Sequence, residues 1–221
     1  MAYRGWSTSN YLSFLAPGVT AMPLTLACWA RTSINSGFQV PLNLRQNAAA
    51  NDRQGYQIYS NNLNIRAAIA DGSTLNNANS TNNFAINTWF HAAAVFTSAT
   101  LRAIFLNGGF KGTQSTSRTP TGIDRLLIGV EGGTSGVATP WAPGGTGDIA
   151  EIGIWNVALT DGEVLTLSQG FSPLLVRPQN LVHYMPLVRG LVDPRGGKSL
   201  IMTGSLTISD HPRIIMPRGY K

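Results

Sequence analysis

Cysteine is almost absent from this chain. Cys28 is the only one in 221 residues, so neither a disulfide framework nor a cysteine metal cluster can form within it. It lies in an apolar run at 24–30, which predicts a buried, inert thiol. A chain of this length can bury roughly 70% of its unfolded surface without covalent links.

Charge is also scarce. Charged residues make up 12% of the chain, about half the usual share near 25%. Gly, Ser, Thr, Asn and Ala are abundant instead, which favours turns, β structure and neutral, hydrogen-bonding surfaces. Such surfaces are typical of virion shells, adhesins and sugar-binding proteins.

Acidic residues are too few and too scattered for glycoside hydrolysis. That reaction needs two carboxyl groups about 5–9.5 Å apart. The chain has three glutamates, Glu131, Glu151 and Glu163, and no predicted strand carries two alternating acids. We therefore predict no enzymatic activity.

Long apolar runs are missing as well. No stretch approaches the roughly 18 apolar residues of a membrane span, and Met1–Trp6 lacks the apolar segment of a signal peptide. We therefore expect synthesis in the cytoplasm and no membrane partner.

The positive charge is concentrated near the C-terminus. Residues 177–221 contain seven Lys/Arg and two Asp, so they carry +5 of the total +6. The charges are dispersed, which argues against nucleic-acid binding and favours an acidic protein surface. Arg213, Arg218 and Lys221 are the candidate contacts.

The clearest structural signal lies at 147–170. Residues Asp148–Trp155 form an apolar strand pattern, and Thr160 with Glu163 forms a capping box for a short helix. Leu159 and Val164 occupy the two hydrophobic-staple positions, and Gly170 can end the helix.

The pattern of the remaining sequence predicts about a dozen strands. It contains no domain linker and no internal repeat. Strands are expected at 11–31, 54–69, 88–113, 123–130, 181–187 and 200–208, with polar loops at 71–87 and 131–147. Closely spaced strands with one helix indicate a single all-β, antiparallel two-sheet sandwich. We assign residues 1–208 to the sandwich and 209–221 to an extended basic C-terminal arm.

Four motifs in order resemble the laminin G-like, concanavalin A-like lectin/glucanase family. They are Trp89–Ala93, Leu101–Gly108, Leu126–Gly129 and Gly147–Glu163. The resemblance implies a jelly roll of two curved sheets that is used for binding and adhesion. Some relatives are glycosidases, and in phages such domains occur in capsid decoration proteins and tail appendages. The glucanase pattern Glu-x-Asp-x-x-Glu is absent here, so Glu151 is interpreted as part of the scaffold.

The resemblance also raises the question of calcium, which some relatives bind through aspartates and carbonyl oxygens. Asp71, Asp124 and Asp148 are isolated in the sequence, so we predict no metal site and no cofactor, although calcium stays an open alternative. His91, at the family's Trp-x-His position, is expected to be a hydrogen-bonded core residue.

Two groups of residues are candidate contacts with a ligand or partner. Trp6 and Trp141 fall in irregular stretches, and Trp141 could protrude as a sugar platform or interface anchor, or fold back over the sandwich. Asn76, Asn77 and Asn79 lie in the amide-rich stretch, where they could pair with sugar hydroxyls or belong to a solvated loop.

Two functions follow as hypotheses. The first is a non-catalytic virion surface component, a homo-oligomeric decoration protein that binds neighbouring capsid or tail subunits. The second is a carbohydrate-binding adhesive module of a phage tail or bacterial surface protein. The first is favoured, chiefly by the phage context of the family that the chain resembles.

Overall fold

The computed structural model describes residues 2–46, 53–72, 75–133, 136–188 and 190–219. The strands are β1 (Ala2–Arg4), β2 (Tyr11–Leu15), β3 (Leu24–Arg31), β4 (Phe38–Arg45), β5 (Arg53–Asn61), β6 (Asn64–Gly72), β7 (Leu75–Asn79), β8 (Phe90–Ser98), β9 (Leu101–Leu106), β10 (Gly112–Gln114), β11 (Arg125–Ile128), β12 (Val130–Gly133), β13 (Gly136–Pro140), β14 (Asp148–Trp155), β15 (Leu181–Met185), β16 (Ile201–Thr203) and β17 (Thr207–Ser209). Helix α1 spans Asp161–Ser168, and two short 3₁₀ turns span Pro173–Leu175 and Pro178–Asn180.

The strands form two antiparallel sheets stacked as a sandwich. The back sheet has the order β10-β9-β8-β3-β14-β1-β17, and β15 also pairs with β14. The front sheet has the order β16-β2-β11-β4-β5-β6-β7, and β12 and β13 form a separate hairpin. The all-β, two-sheet architecture predicted from the sequence is confirmed.

The main core lies between the sheets because alternate residues of each strand point inward. Leu42 and Leu44 of β4 and Tyr56 and Ile58 of β5 are among the front-sheet residues in it. The back sheet contributes Cys28, which is fully buried, and burial raises its pKa to about 12. The thiol is therefore inert at neutral pH, as predicted.

The back sheet is covered on its outer face as well. Val164 and Leu167 of α1 pack with Trp155 of β14 in a second apolar cluster. Because β14 has a layer on each side, all of its residues are buried. The predicted capping box is present: Glu163 N donates to Thr160 Oγ1 at 3.3 Å, and Thr160 N donates to the Glu163 carboxylate at 2.8 Å.

The stretch 200–208 forms two strands rather than the one predicted. Gly204 has a φ of +70°, and this turn sends β16 to β2 in the front sheet and β17 to β1 in the back sheet. The C-terminal arm then lies along the back-sheet side, where Ile215 N donates to Gly170 O at 2.7 Å and Ser172 N donates to Ile215 O at 3.0 Å. The arm is extended, and it is attached to the sandwich.

Among the described residues, no helix is long and apolar enough to cross a membrane.

Candidate functional site

The outer face of the front sheet carries a polar groove. The core residues of β4, β5 and β11 point inward, so the residues that alternate with them point outward. The groove encloses about 250 Å³, including the part open to solvent. Within it, the space that a water-sized group can occupy is only about 10 Å³, well below the roughly 300–1,000 Å³ of small-molecule sites. Its lining consists of Asn43, Arg45, Gln54, Gly55, Gln57, Ala70, Leu75 and Glu131.

Two glycines determine the shape of this groove around Arg45. A Cβ on Gly132 of the β12–β13 hairpin would overlap the Arg45 guanidinium, and a Cβ on Gly55 would lie 2.6 Å from Leu44 O. The hairpin therefore lies directly over Arg45, whose Nε donates to Gln46 O at 2.8 Å. The residue is only 5% exposed, so its position is fixed by packing.

A row of amides crosses the same face. In the strand register, Asn43 lies opposite Gln57, Gln57 lies opposite Ala68, and Ala68 lies opposite Asn77. These positions fall on four adjacent strands. Gln57 is only 6% exposed, and its Nε2 has no hydrogen-bond partner in the described part of the chain. A buried donor left unpaired is costly, so this amide is available to donate to a bound water or to a ligand group.

The asparagines predicted to lie in a loop are instead on the edge strand β7. Asn77 and Asn79 face outward beside the groove, and Asn77 Nδ2 donates to Asn79 Oδ1 at 2.7 Å. Asn76 has a different role, because its amide oxygen accepts from Arg118 Nε and Nη2 at 2.9 Å each. Two of the three candidates are therefore next to the groove, and the third is part of an internal contact.

Tyr59 and Arg66 extend the polar face along β5 and β6. The Arg66 guanidinium lies over the Tyr59 ring, 5.6 Å from its centroid. Burial raises the pKa of the Tyr59 hydroxyl despite its hydrogen bond with Arg66. Tyr59 is thus a neutral, rigid support for the Arg66 guanidinium.

The two candidate tryptophans are buried, which corrects the prediction that they could be exposed contacts. Trp6 is fully buried and donates from Nε1 to Tyr3 O at 3.1 Å. Trp141 is fully buried and donates to the carbonyl oxygens of Arg31 and Asp148, each at 3.3 Å. Both belong to the main core.

The basic candidates of the C-terminal arm are distant in sequence from the groove strands. Arg213 and Arg218 are exposed, and Lys221 lies outside the described residues. The groove and the arm are attached to different sheets, so the structure does not bring these two sets of candidates together.

The acidic residues each bind a different partner within the protein. Glu151 accepts from Tyr184 Oη at 2.9 Å, and Glu163 accepts from Arg177 Nε at 2.6 Å. Asp71 accepts from Arg118 Nη1 at 2.8 Å. None of these contacts places two carboxyl groups around a common cleft.

The aspartates do not fit a calcium site. Asp148 is fully buried and accepts from Arg4 Nε and Arg31 Nε at 2.9 and 2.7 Å, so its charge is already neutralised. Burial raises the pKa of Asp148, but hydrogen bonds from Arg4, Ser209 and Arg31 outweigh this and lower it overall. Within the described ranges, no three His, Cys, Asp or Glu side chains cluster as metal ligands.

Sequence reasoning missed Arg45, Gln57, Arg66 and the β12–β13 hairpin. A signal for them was available: in β4, β5 and β6, polar residues alternate with the apolar core residues, and these polar residues point outward. The hairpin lies in the Gly/Pro-rich stretch that reads as a loop, because glycine gives little strand propensity.

Comparison with known proteins identifies the family. A model of the concanavalin A-like lectin/glucanases superfamily matches residues 7–165, and the chain belongs to that family. A search of curated protein sequences finds no match.

Solved structures share the fold at low sequence identity. A native heptameric SAP-like pentraxin from Limulus polyphemus has a TM-score of 0.67 and 14% identity, covering 96% of each chain. A candidate carbohydrate-binding protein from Bacteroides ovatus has a TM-score of 0.66 and 17% identity, covering 96% of this chain and 60% of that one. The CBM40 of Ruminococcus gnavus IT-sialidase, bound to α2,3-sialyllactose, has a TM-score of 0.54 and 14% identity over 68% and 83% of the chains. At this identity the likeness shows a shared fold.

Proposed function

We propose that this protein is a carbohydrate-binding module whose ligand site is the groove on the outer face of the front sheet. The observation that carries the proposal is the buried Gln57 amide, which lines the groove and has an Nε2 donor without an acceptor in the described structure. Sugar hydroxyls are good acceptors for such amides, and the neighbouring Asn43 and Asn77 offer further donors and acceptors.

The shape of the groove supports the same conclusion. It is a narrow cleft between side chains that the sheet holds in place, so it can accept a single polar group of a larger ligand. A sheet positions polar side chains more precisely than a loop. The sugar-bound CBM40 structure indicates that this fold can hold glycans.

A glycan array followed by calorimetry tests the proposal. We expect binding to at least one oligosaccharide class, and Gln57→Leu should weaken that binding about tenfold because it removes a buried hydrogen bond. Gln179→Leu is the control, because Gln179 is exposed in a turn that follows the back sheet's helix. Unchanged affinity in Gln57→Leu would show that the site lies elsewhere.

A second candidate function is a virion surface component that binds neighbouring shell subunits. It is favoured by exposed apolar side chains near the C-terminus, where Val192, Ile201 and Ile208 are 61%, 59% and 54% exposed. Arg213 and Arg218, in the same C-terminal part of the sequence, are exposed and basic, so this part of the chain offers both apolar and charged groups to a protein partner.

Size-exclusion chromatography with light scattering tests this second function. We expect an oligomer that Ile201→Ser with Ile208→Ser dissociates, whereas Leu165→Ser on the helix leaves it intact. A monomer at all concentrations, together with no attachment to capsids, would contradict the virion role.

A further inference from the structure

His183 of β15 and Asp193 of the turn that follows form an enclosed pair. Their side chains are 2% and 0% exposed, and His183 Nδ1 lies 2.5 Å from Asp193 Oδ2. A Cβ on Gly196 would overlap both of these atoms. The backbone of the turn therefore closes over the pair and shields it from solvent.

Both nitrogens of the His183 ring face oxygen atoms that accept hydrogen bonds. Nε2 contacts the carbonyl oxygen of Pro17, in the turn between β2 and β3. Nδ1 faces the Asp193 carboxylate, whose other oxygen accepts from Tyr184 N at 3.0 Å and from Arg195 N at 2.8 Å. A neutral imidazole has only one N–H donor, so this arrangement requires the doubly protonated, positively charged ring.

The Asp193 carboxyl is held in its ionised form. Burial raises its pKa, but hydrogen bonds from His183 and from three backbone N–H groups outweigh this and lower the pKa overall. The guanidinium of Arg195, on the same turn, is bound elsewhere, because it donates to Leu181 O at 3.0 Å and to Pro178 O at 2.8 Å. The positive charge of His183 therefore balances the buried carboxylate.

The neighbouring strands present uncharged groups to the ring. The Phe14 ring of β2 lies 4.9 Å from the His183 ring, between centroids. Ile154 of β14 occupies the position opposite His183 in the strand register. Since neither residue titrates, the protonation of His183 is coupled mainly to Asp193.

The pair joins three separate segments of the chain. His183 belongs to β15, Pro17 belongs to the β2–β3 turn, and Asp193 begins the turn at 193–198. That last turn closes on itself, with Asp193 N donating to Lys198 O at 2.8 Å and Gly197 N donating to Asp193 O at 2.9 Å. The charged ring therefore holds two turns against one strand.

We propose that His183 and Asp193 form a pH-sensitive lock, which is closed while the ring carries both protons and opens as the pH rises and one proton passes to solvent. After that loss, a lone pair of the ring faces an oxygen lone pair inside the protein, which is unfavourable. Protonation therefore favours the closed form, and the closed fraction falls as the pH rises. Opening frees the turn at 193–198 from β15. Neither residue lines the groove, so the lock is independent of the proposed carbohydrate site.

Limited trypsin digestion of the full chain tests the lock, because the chain contains a matched control. Residues 194–196 and 217–219 have the same sequence, Pro-Arg-Gly, and Arg195 and Arg218 are both exposed. Cleavage follows the population of the open form when opening is fast. We expect the ratio of cleavage after Arg195 to cleavage after Arg218 to rise between about pH 6 and 9, by up to about tenfold per pH unit for one proton. A constant ratio would overturn the lock.

His183→Gln identifies the titrating group. It keeps one hydrogen-bond donor but cannot titrate, so its cleavage ratio should not change with pH. His91→Gln replaces a buried histidine elsewhere in the back sheet, and it should keep the pH dependence of the original protein. Equal pH dependence in His183→Gln would assign the effect to another group and contradict the lock.

Nitrogen-15 NMR of the unmodified protein gives a second test that needs no folded variant. At about pH 6, both ring nitrogens of His183 should carry a proton and show the shifts of an imidazolium ion. Above the pH at which cleavage after Arg195 increases, one of these protons should be lost. A neutral ring with a single N–H at pH 6 would overturn the lock.

Discussion

His91 is an imidazole enclosed in the back sheet. It lies on β8, is 2% exposed, and its ring meets the Trp29 ring at 5.5 Å. Burial lowers its pKa to about 3. The core position predicted for His91 is confirmed, but its Nδ1 has no hydrogen-bond partner among the described residues. The ring therefore acts as a neutral, largely apolar part of the packing.

This burial predicts a loss of stability in mild acid. An unfolded histidine takes up a proton near pH 6.5, whereas folded His91 stays neutral until about pH 3. Protonation therefore favours the unfolded chain, and the free energy of unfolding should fall between these pH values by up to about 1.4 kcal/mol per pH unit. Urea unfolding at pH 7, 6, 5 and 4.5 measures this slope.

His91→Gln is the comparison variant. It cannot titrate, so its stability profile should be flatter than that of the original protein over the same range, whatever its absolute stability. The other two histidines are unchanged, so the difference between the profiles reports His91. Parallel profiles would show that the imidazole takes up a proton as readily in the folded chain as in the unfolded one, and would contradict the lowered pKa.

At the scale of elements, the sequence predicted strands and helices correctly where several local signals coincided. The stretch 147–170 contains an apolar run, a capping box and a terminal glycine, and the structure has β14 and α1 there with the predicted bounds. β7 could not be predicted from Leu75–Asn79, because asparagine has low strand propensity and the strand is held by pairing with β6. The groove was missed for a similar reason: its residues come together only when strands distant in sequence are aligned.

The capping box gives a prediction for the helix. Thr160→Ala removes the side chain that accepts from Glu163 N, and it should lower the free energy of unfolding by about 1 kcal/mol. Thr166→Ala is the control within the same helix, because its hydroxyl only bonds back to Gly162 O at 2.8 Å and alanine is a better helix former. Chemical denaturation of both variants measures the difference, and similar losses would exclude a specific capping effect.

At the scale of the whole molecule, the C-terminal stretch of the chain joins the two sheets. The stretch 200–209 contributes β16 to the front sheet and β17 to the back sheet. Leu200 is buried, while Met202 and Leu206 pack against the core between the sheets. Asp148 adds a polar link, because it is bound by Arg4, Arg31 and Ser209 from three separate segments.

Removal of residues 200–221 should therefore affect both sheets at once. We expect the free energy of unfolding to fall by at least about 3 kcal/mol from lost apolar burial, and light scattering to increase because the edges of β1 and β2 become unpaired. Removal of only 218–221 should leave both measurements unchanged, since Arg218 is exposed. Equal stability of the two truncated chains would contradict a joining role for this segment.

The antiparallel pairing of β1 with β17 has a mechanical consequence. Ala2 is opposite Ser209, so the first described residues and the C-terminal arm leave this strand pair on the same side. A tension applied to both would open the hydrogen bonds one after another, as a zipper opens, instead of loading them together. A load between the outer face of the front sheet and the β1 end would instead cross both sheets and their shared core, so the points at which force is applied decide how much of the structure resists it.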